Sequence, residues 1–357
     1  MPWREGVRRA VVSLGTVVPA GEPRWPIALQ AAITLTVPVV VGIAAGRMDL
    51  GMLAAVGAFT VPYFAALPRL ERLRLRPLAG LVLVATAALG ALLAPSGVWA
   101  AVGLVAVTIA VGAAVHGYRL GPPGPLFPVL VYGMSWHAVG SGVPASTLIA
   151  CVAAGCTFAV LVSITPLVRR VHWSVTPRPL RVLLAAPLWD RGARELVIRT
   201  AIVAVAATAV SLVYVDPERA YWTVAAGVVV IGVVPGRGPA LTRGLHRAVG
   251  TGVGVGVYLA IGAAGLAPLW LAAVLFALQF ITELAITRHY AIAVAAVTPL
   301  ALVLVTAGAG ELGTTAVVGE RLVDTLVGAA LGVATALIHP PAPPDPEGRL
   351  APPHRPD

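Results

Sequence analysis

The sequence predicts an all-α polytopic membrane protein, with about twelve transmembrane helices arranged as two parallel six-helix repeats. Three observations carry this. The 357-residue chain is 58% hydrophobic and only 11% charged, with a mean hydropathy of +0.90, whereas an ordinary soluble domain is roughly 25% charged. Its apolar runs approach the roughly 20 residues that cross a hydrocarbon core about 30 Å thick. Its charges sit in short clusters between those runs. This composition sets aside a soluble enzyme, a disordered scaffold and a secreted disulfide protein.

Taken in order, segment 1–23 carries Arg4, Arg8 and Arg9 before a short apolar stretch interrupted by Ser13, Gly15, Thr16 and Pro19. It reads as a cytoplasmic amphipathic segment rather than a signal peptide. The first repeat, 24–168, holds spans at 27–46, 50–67, 78–94, 98–115, a short proline-led 127–139, and 145–168. A linker, 169–199, contains seven arginines with Pro177, Pro179 and Pro187, and is expected in the cytoplasm. The second repeat, 200–339, takes spans at 196–215, 221–234, 248–263, 268–286, 291–307 and 314–338. The span at 221–234 is too short to cross without thinning the bilayer or turning back. The tail, 340–357, is rich in Pro and charge and is expected to be disordered in the cytoplasm.

Arginine sets the orientation. All 25 basic residues are Arg, and 22 of them fall in segments that the span count places on one side, with Arg47 and Arg219 on the other and Arg321 in or near the last span. By the positive-inside rule both termini are cytoplasmic. The net charge of +10 is therefore a mark of topology, and no nucleic-acid partner is expected. Trp25, Trp99, Trp222, Trp270 and Tyr290 sit near span ends, as an interfacial aromatic belt predicts.

The repeat is read from positions about 170 to 175 residues apart. Arg24 and Arg199 precede the first span of each half, and Pro166 and Pro340 close the last. Arg-rich loops at 69–76 and 237–247 lead to third spans opened by Gly80 and Gly250. An even number of spans per half makes the repeats parallel.

Ionisable groups inside spans are costly, so each is a functional candidate. Glu320, Arg321 and Asp324, with Thr325, cluster at the start of the last run. An Arg flanked by two carboxylates offers an anion seat at Arg321 and a proton site at Asp324 or Glu320. The alternative is a structural ion pair or an interfacial helix start, and depth in the membrane separates the two. Glu283, late in the tenth span, is a further proton-coupling candidate or an interfacial snorkelling group. His137, in the short fifth span, is a relay candidate or an interfacial residue. Gly250, Gly252, Gly254 and Gly256 form two interleaved GxxxG patterns, and Gly328 and Gly332 a third, all read as helix-packing surfaces that permit a homodimer. Cys151 and Cys156, about 140° apart on a helix, cannot pair locally. The chain has no nucleophile–base constellation, no HExxH, no CxxC and no paired acidic metal motif. Neither an enzyme, a cofactor nor a metal is expected.

The second half carries an ordered set of motifs. Tyr221-Trp222 opens a short span closing on Pro235. Thr242, Arg243 and Arg247 stand before Gly250-Thr251. Tyr290 precedes a span with Thr298-Pro299, and Arg321, Asp324, Thr325 and Gly328 form Arg-x-x-Asp-Thr-x-x-Gly before His339-Pro340. This set resembles the fusaric acid resistance family of integral membrane proteins, which includes bacterial aromatic acid exporters and is distantly similar to plant aluminium-activated malate transporters. The first half follows more loosely, with 146–156 standing where the Arg-x-x-Asp motif would be.

The resemblance implies a secondary exporter of organic, often aromatic, acids in a bacterial cytoplasmic membrane, driven by protons or membrane potential. An organic-anion channel and a non-transporting membrane scaffold are the alternatives. The expected partners are a small organic acid and membrane lipids. Arg321, Thr325, Tyr221 and Trp222 would bind substrate, and Arg243 with Arg247 would recruit it from the cytoplasm. Arg237, Arg243 and Arg247 serve equally as ligands for lipid phosphates.

Overall fold

Each apolar run folds as a helix, because a segment cut off from water must satisfy its own backbone hydrogen bonds. The computed structural model describes residues 3–19, 24–165, 176–307 and 312–338. The tail expected at 340–357 and the first part of the linker lie outside the described residues. Amphipathic α1 (Trp3–Ser13) is followed by α2 (Trp25–Ala44), α3 (Met48–Ala55) extended by a 3-10 segment (Val56–Thr60), α4 (Arg69–Leu93), α5 (Gly97–Gly117), α6 (Leu126–Gly140) and α7 (Ala145–Ile164). Among its described residues the linker expected at 169–199 holds one turn, α8 (Leu180–Leu183), and its last residues from Arg191 onward are already helical. Then come α9 (Arg191–Tyr214), a 3-10 turn (Pro217–Arg219), α10 (Ala220–Ile231), α11 (Arg237–Ala263), α12 (Pro268–Ala285), α13 (Tyr290–Thr306) and α14 (Thr315–Ala334), which a 3-10 segment prolongs (Thr335–Ile338). Among the described residues seven helices are long and apolar enough to cross a membrane: α2, α4, α5, α7, α9, α12, and α14 with its extension. The chain is a polytopic α-helical membrane protein. Outward residues such as Val41, Leu81, Leu161, Val205 and Val253 give it a lipid-facing surface.

Side-chain contacts sort the helix ends into two layers. One layer gathers Arg24 with Glu283 at 3.3 Å, Arg178 with Glu71 at 2.7 Å, Arg119 with Asp190, and Arg237 donating to the Leu337 carbonyl at 3.0 Å. α1 docks at this arginine-rich end, where Ser13 Oγ meets His246 Nε2 at 2.8 Å and His289 Nε2 meets the Leu14 carbonyl at 2.9 Å. Asp190 caps α9 there by accepting from the Ala193 N–H at 2.7 Å. That bond, with Arg119 beside it, holds the Asp190 carboxyl below the ordinary aspartate value. The opposite, arginine-poor layer holds Arg47 with Asp49 at 2.9 Å, Arg219 with Glu320 at 3.1 Å, and His137 at 3.7 Å from Glu218. His137 is thus an interfacial residue, half-exposed in its side chain.

The same positional pairs of helices pack in both halves. In the first, α2 packs on α3, α3 on α7, and α4 on both α6 and α7; in the second, α9 packs on α10, α10 on α14, and α11 on both α13 and α14. Across the halves α5 lies on α9 and α12 on α2. Glycine sets the closest crossings. A Cβ on Gly57 would fall on the Gly155 backbone, and one on Gly227 would lie 3.0 Å from the Gly328 carbonyl oxygen. Gly332 would meet the Gly227 oxygen at 2.7 Å, Gly250 the Ala291 oxygen at 2.5 Å, and Gly254 the Thr298 Cβ at 2.7 Å. Gly252 and Gly256 do not share this role, since a Cβ on either would have nothing within 4 Å among the described residues. Two residues along a helix is a turn of about 200°, so of the two interleaved GxxxG rows only one faces α13.

The second helix of each half is short. α10 has 12 residues, about 18 Å of helix, and stops at Gly232, whose φ of +67° suits a residue without a Cβ. α3 with its extension has 13 residues, Met48–Thr60, and the chain turns at Phe64 with φ +60°. Neither crosses a full bilayer, and both leave backbone termini among the longer helices.

Gly328→Leu is expected to wedge α10 from α14 and lower stability by about 1–3 kcal/mol, the usual cost of overpacking. Gly252→Leu should change it by less than about 0.5 kcal/mol. Detergent-solubilised thermal unfolding of the two variants checks the contrast.

Candidate functional site

α14 carries the charged cluster inward from the arginine-poor end. Arg321 lies about 9 Å and Asp324 about 14 Å along the helix from Thr315, at 1.5 Å per residue. Glu320 remains part-exposed at the rim, while Asp324 is 1% and Arg321 6% exposed. The cluster therefore runs from the interface toward the middle of the bundle. Helical spacing puts Asp324 one turn below Glu320 and Thr325 one turn below Arg321.

The two carboxylates do not flank Arg321 as a pair. Both turn to Arg219, on the 3-10 turn ahead of α10. Its Nη1 is 3.1 Å from Glu320 Oε1 and 2.9 Å from Asp216 Oδ2, and its Nε is 3.5 Å from Asp324 Oδ2. Thr223 Oγ1 donates to the other Asp324 oxygen at 3.1 Å. Arg321 makes no ion pair among the described residues. Its guanidinium instead lies over the Trp222 ring, 3.8 Å from the centroid. Such a cation–π contact favours a desolvated Arg but leaves its edge free. The Nε and Nη1 of Arg321 have no hydrogen-bond partner among the described residues, and neither has the Thr325 hydroxyl. Tyr221 stacks obliquely on Trp222, centroids 5.1 Å apart, and its ring fits against Gly133 of α6, where a Cβ would collide with it. The first half thus buttresses the site from behind.

A second guanidinium approaches from α11. Arg247 is 4% exposed and close enough for its charge to repel that of Arg321. Its Nε and the Thr251 hydroxyl one turn away also lack partners among the described residues. Two buried cations with open N–H donors beside an aromatic face are suited to a planar anion, since charge-assisted bonds from Arg to a carboxylate are strong and bidentate. Among the described residues no three His, Cys, Asp or Glu side chains gather as a metal would require.

The structure also places the two remaining candidates. Arg243 stands one helical turn before Arg247 on α11. It is half-buried, reaches the Val229 carbonyl at 3.4 Å and lies 5.9 Å from the Tyr290 ring, where it caps the C-terminal end of α10. Glu283 does not join Asp324. It is buried at the arginine-rich end, paired with Arg24 and within electrostatic reach of Arg76. Four residues apart on α11, the two arginines climb toward different depths; Glu283, near the end of α12, is simply at the wrong end of the bundle.

Several buried or part-buried groups escape a reading of motifs and hydropathy. Arg219 passes for a loop charge, although it stands two residues before Tyr221-Trp222. Arg76 donates to Gln30 Oε1 at 3.1 Å, to Ser163 Oγ, and to the Val61 carbonyl at 3.0 Å. Arg199, fully buried, reaches Thr335 Oγ1 at 3.2 Å and the Gly332 carbonyl at 3.4 Å. The signal that could find them is position: Arg76 and Arg247 are the last arginines of the runs 69–76 and 237–247, which form the first turns of α4 and α11 rather than the expected loops, and Arg199, the last arginine of the expected linker, already lies within α9.

Residues 198–335 match the family model described as fusaric acid resistance protein-like. The match begins within α9, ends beside α14, and takes in Arg219, Trp222, Arg247, Arg321 and Asp324. It supports a family-level relationship to fusaric acid resistance proteins for this half of the chain. Comparison with curated proteins and with solved structures gave no match.

Arg24→Met strands Glu283 in the bundle and should cost about 3 kcal/mol, as breaking a buried pair does. Adding Glu283→Met should recover more than half of that. Chemical unfolding of the four proteins in the cycle checks it, and purely additive losses would mean the two side chains do not act together.

Proposed function

We propose that the protein is a secondary transporter that exports organic acids, aromatic ones included, across the bacterial cytoplasmic membrane. The observation that carries this reading is Arg321: a buried guanidinium, stacked on Trp222, without an ion pair among the described residues and with two donors open. The buried Arg76 and Arg199 have their donors met largely by side-chain and backbone oxygens, whereas Arg321 has an aromatic face and no such oxygen partner for its Nε and Nη1 among the described residues. An acid anion supplies that partner, its carboxylate on the edge of Arg321 and its apolar body against Trp222 and Tyr221. Arg247 draws the anion inward from the arginine-rich end, and Thr325 offers a hydroxyl beside it. Asp324 is the proton-coupling carboxylate, with Glu320 at the rim. The similarity of residues 198–335 to fusaric acid resistance proteins supports the same reading.

The architecture that fits this function is about twelve membrane helices, the second of each half too short to cross alone, in two parallel repeats, 24–168 and 200–339, joined by a cytoplasmic linker at 169–199. The recurring helix pairs and the paired crossings Gly57–Gly155 and Gly227–Gly328 support it. Short helices at matching places in two repeats mark a transport path in other carriers. With both termini cytoplasmic, outward movement of one anion gains about 2.3 kcal/mol per 100 mV of interior-negative potential, and inward protons at Asp324 add to that.

Efflux of preloaded benzoate and 4-hydroxybenzoate from cells at two external pH values tests the assignment. Arg321→Ala should slow efflux about 10- to 100-fold, the worth of a hydrogen bond to a charged group. Asp324→Asn should abolish the dependence on the proton gradient. Normally inserted variants that expel both acids at the parent rate under both conditions would refute it.

A further inference from the structure

We propose that Arg219 is the bolt that closes the arginine-poor end over the Arg321 site. The inference rests on the reading of Arg321 as the anion's seat and adds a residue that no sequence motif assigns. Arg219 stands on the turn between α9 and α10, its side chain 22% exposed, so that it lies between water and the buried pair Arg321 and Trp222. It bridges three carboxylates on two elements: Asp216 of its own turn, and Glu320 and Asp324 of α14. Asp216 is itself fixed by accepting from the Glu218 N–H at 2.8 Å. The bridge therefore ties the α9–α10 turn to the first two turns of α14.

Two consequences make this a closure rather than a brace. By holding Glu320 and Asp324, Arg219 keeps from Arg321 the two carboxylates nearest to it in sequence, so the deep guanidinium stays available to an anion. The bridge also blocks the direct route from Arg321 to that end, and an anion leaving there must part Arg219 from Glu320. Partly exposed ion pairs contribute little to stability, so parting them is cheap, as a repeatedly opened contact requires. Tight closure at depth is left to Thr223 and Asp324.

The test reads accessibility and needs no identified substrate. In a background with Cys151 and Cys156 replaced by Ala, Thr325→Cys places a thiol beside Arg321. Anionic and cationic methanethiosulfonate reagents, both membrane-impermeant, are applied from the side on which a Ser141→Cys reporter is labelled. Arg219→Gln should raise the labelling rate at position 325 about tenfold, and Glu320→Gln, which removes one arm of the bridge at a part-exposed site, about threefold. Glu320→Gln also decides the matter if Arg219→Gln fails to insert. Rates equal to the parent's in the variants that do insert would overturn the closure. Faster labelling by the anionic reagent than by the cationic one supports Arg321 as the seat. A rise that is equal for both reagents leaves the bolt in place and overturns the seat.

Discussion

A positive charge held in the interior without its own carboxylate is the constraint on which the site depends. Burying an unpaired ion is among the most expensive things a fold can do. The bundle tolerates Arg321 by laying it on the electron-rich face of Trp222 and by keeping Asp324 on the same helix, near but engaged elsewhere. Tyr221 stiffens the indole, and Gly133 lets Tyr221 come close. Every one of these contacts serves the orientation of a single guanidinium.

Glycine supplies the geometry in which this is feasible. α10 and α14 approach until only backbone separates them at Gly227 and Gly328, which brings Trp222 and Thr223 against Arg321 and Asp324. α10 is also short, and the turn ahead of it, with Arg219, meets the first turns of α14 at the arginine-poor end. A full-length helix in its place would carry the same side chains to other depths.

Much of this is legible in the sequence. Hydropathy and arginine clustering locate the apolar helices, because a bilayer imposes its thickness on any chain that enters it, but they miss the polar first turns of α4 and α11, which begin at Arg69 and Arg237, well ahead of the spans expected from 78 and 248. Arg321, Asp324, Trp222 and Arg247 also stand out, since charge and aromaticity in an apolar run are conspicuous. What sequence cannot supply is partnership. Arg219 and Asp324 lie 105 positions apart, and Arg24 and Glu283 are 259 apart, distances at which periodicity is silent. For the same reason sequence alone shows Glu283 without its partner Arg24. The glycine row on α11 misleads in another way: spacing reveals that two rows exist, while only a neighbouring helix determines which row is covered.

The crossing at Gly155 has surroundings unlike those of its counterpart. Counted from Gly155 as from Gly328, the places of Arg321, Asp324 and Thr325 fall to Leu148, Cys151 and Val152. One half thus repeats the joinery of the other but not its polarity. On the function proposed above, the seat for the acid is confined to one half, and what removes it from the other is three apolar side chains rather than any difference in the crossing itself.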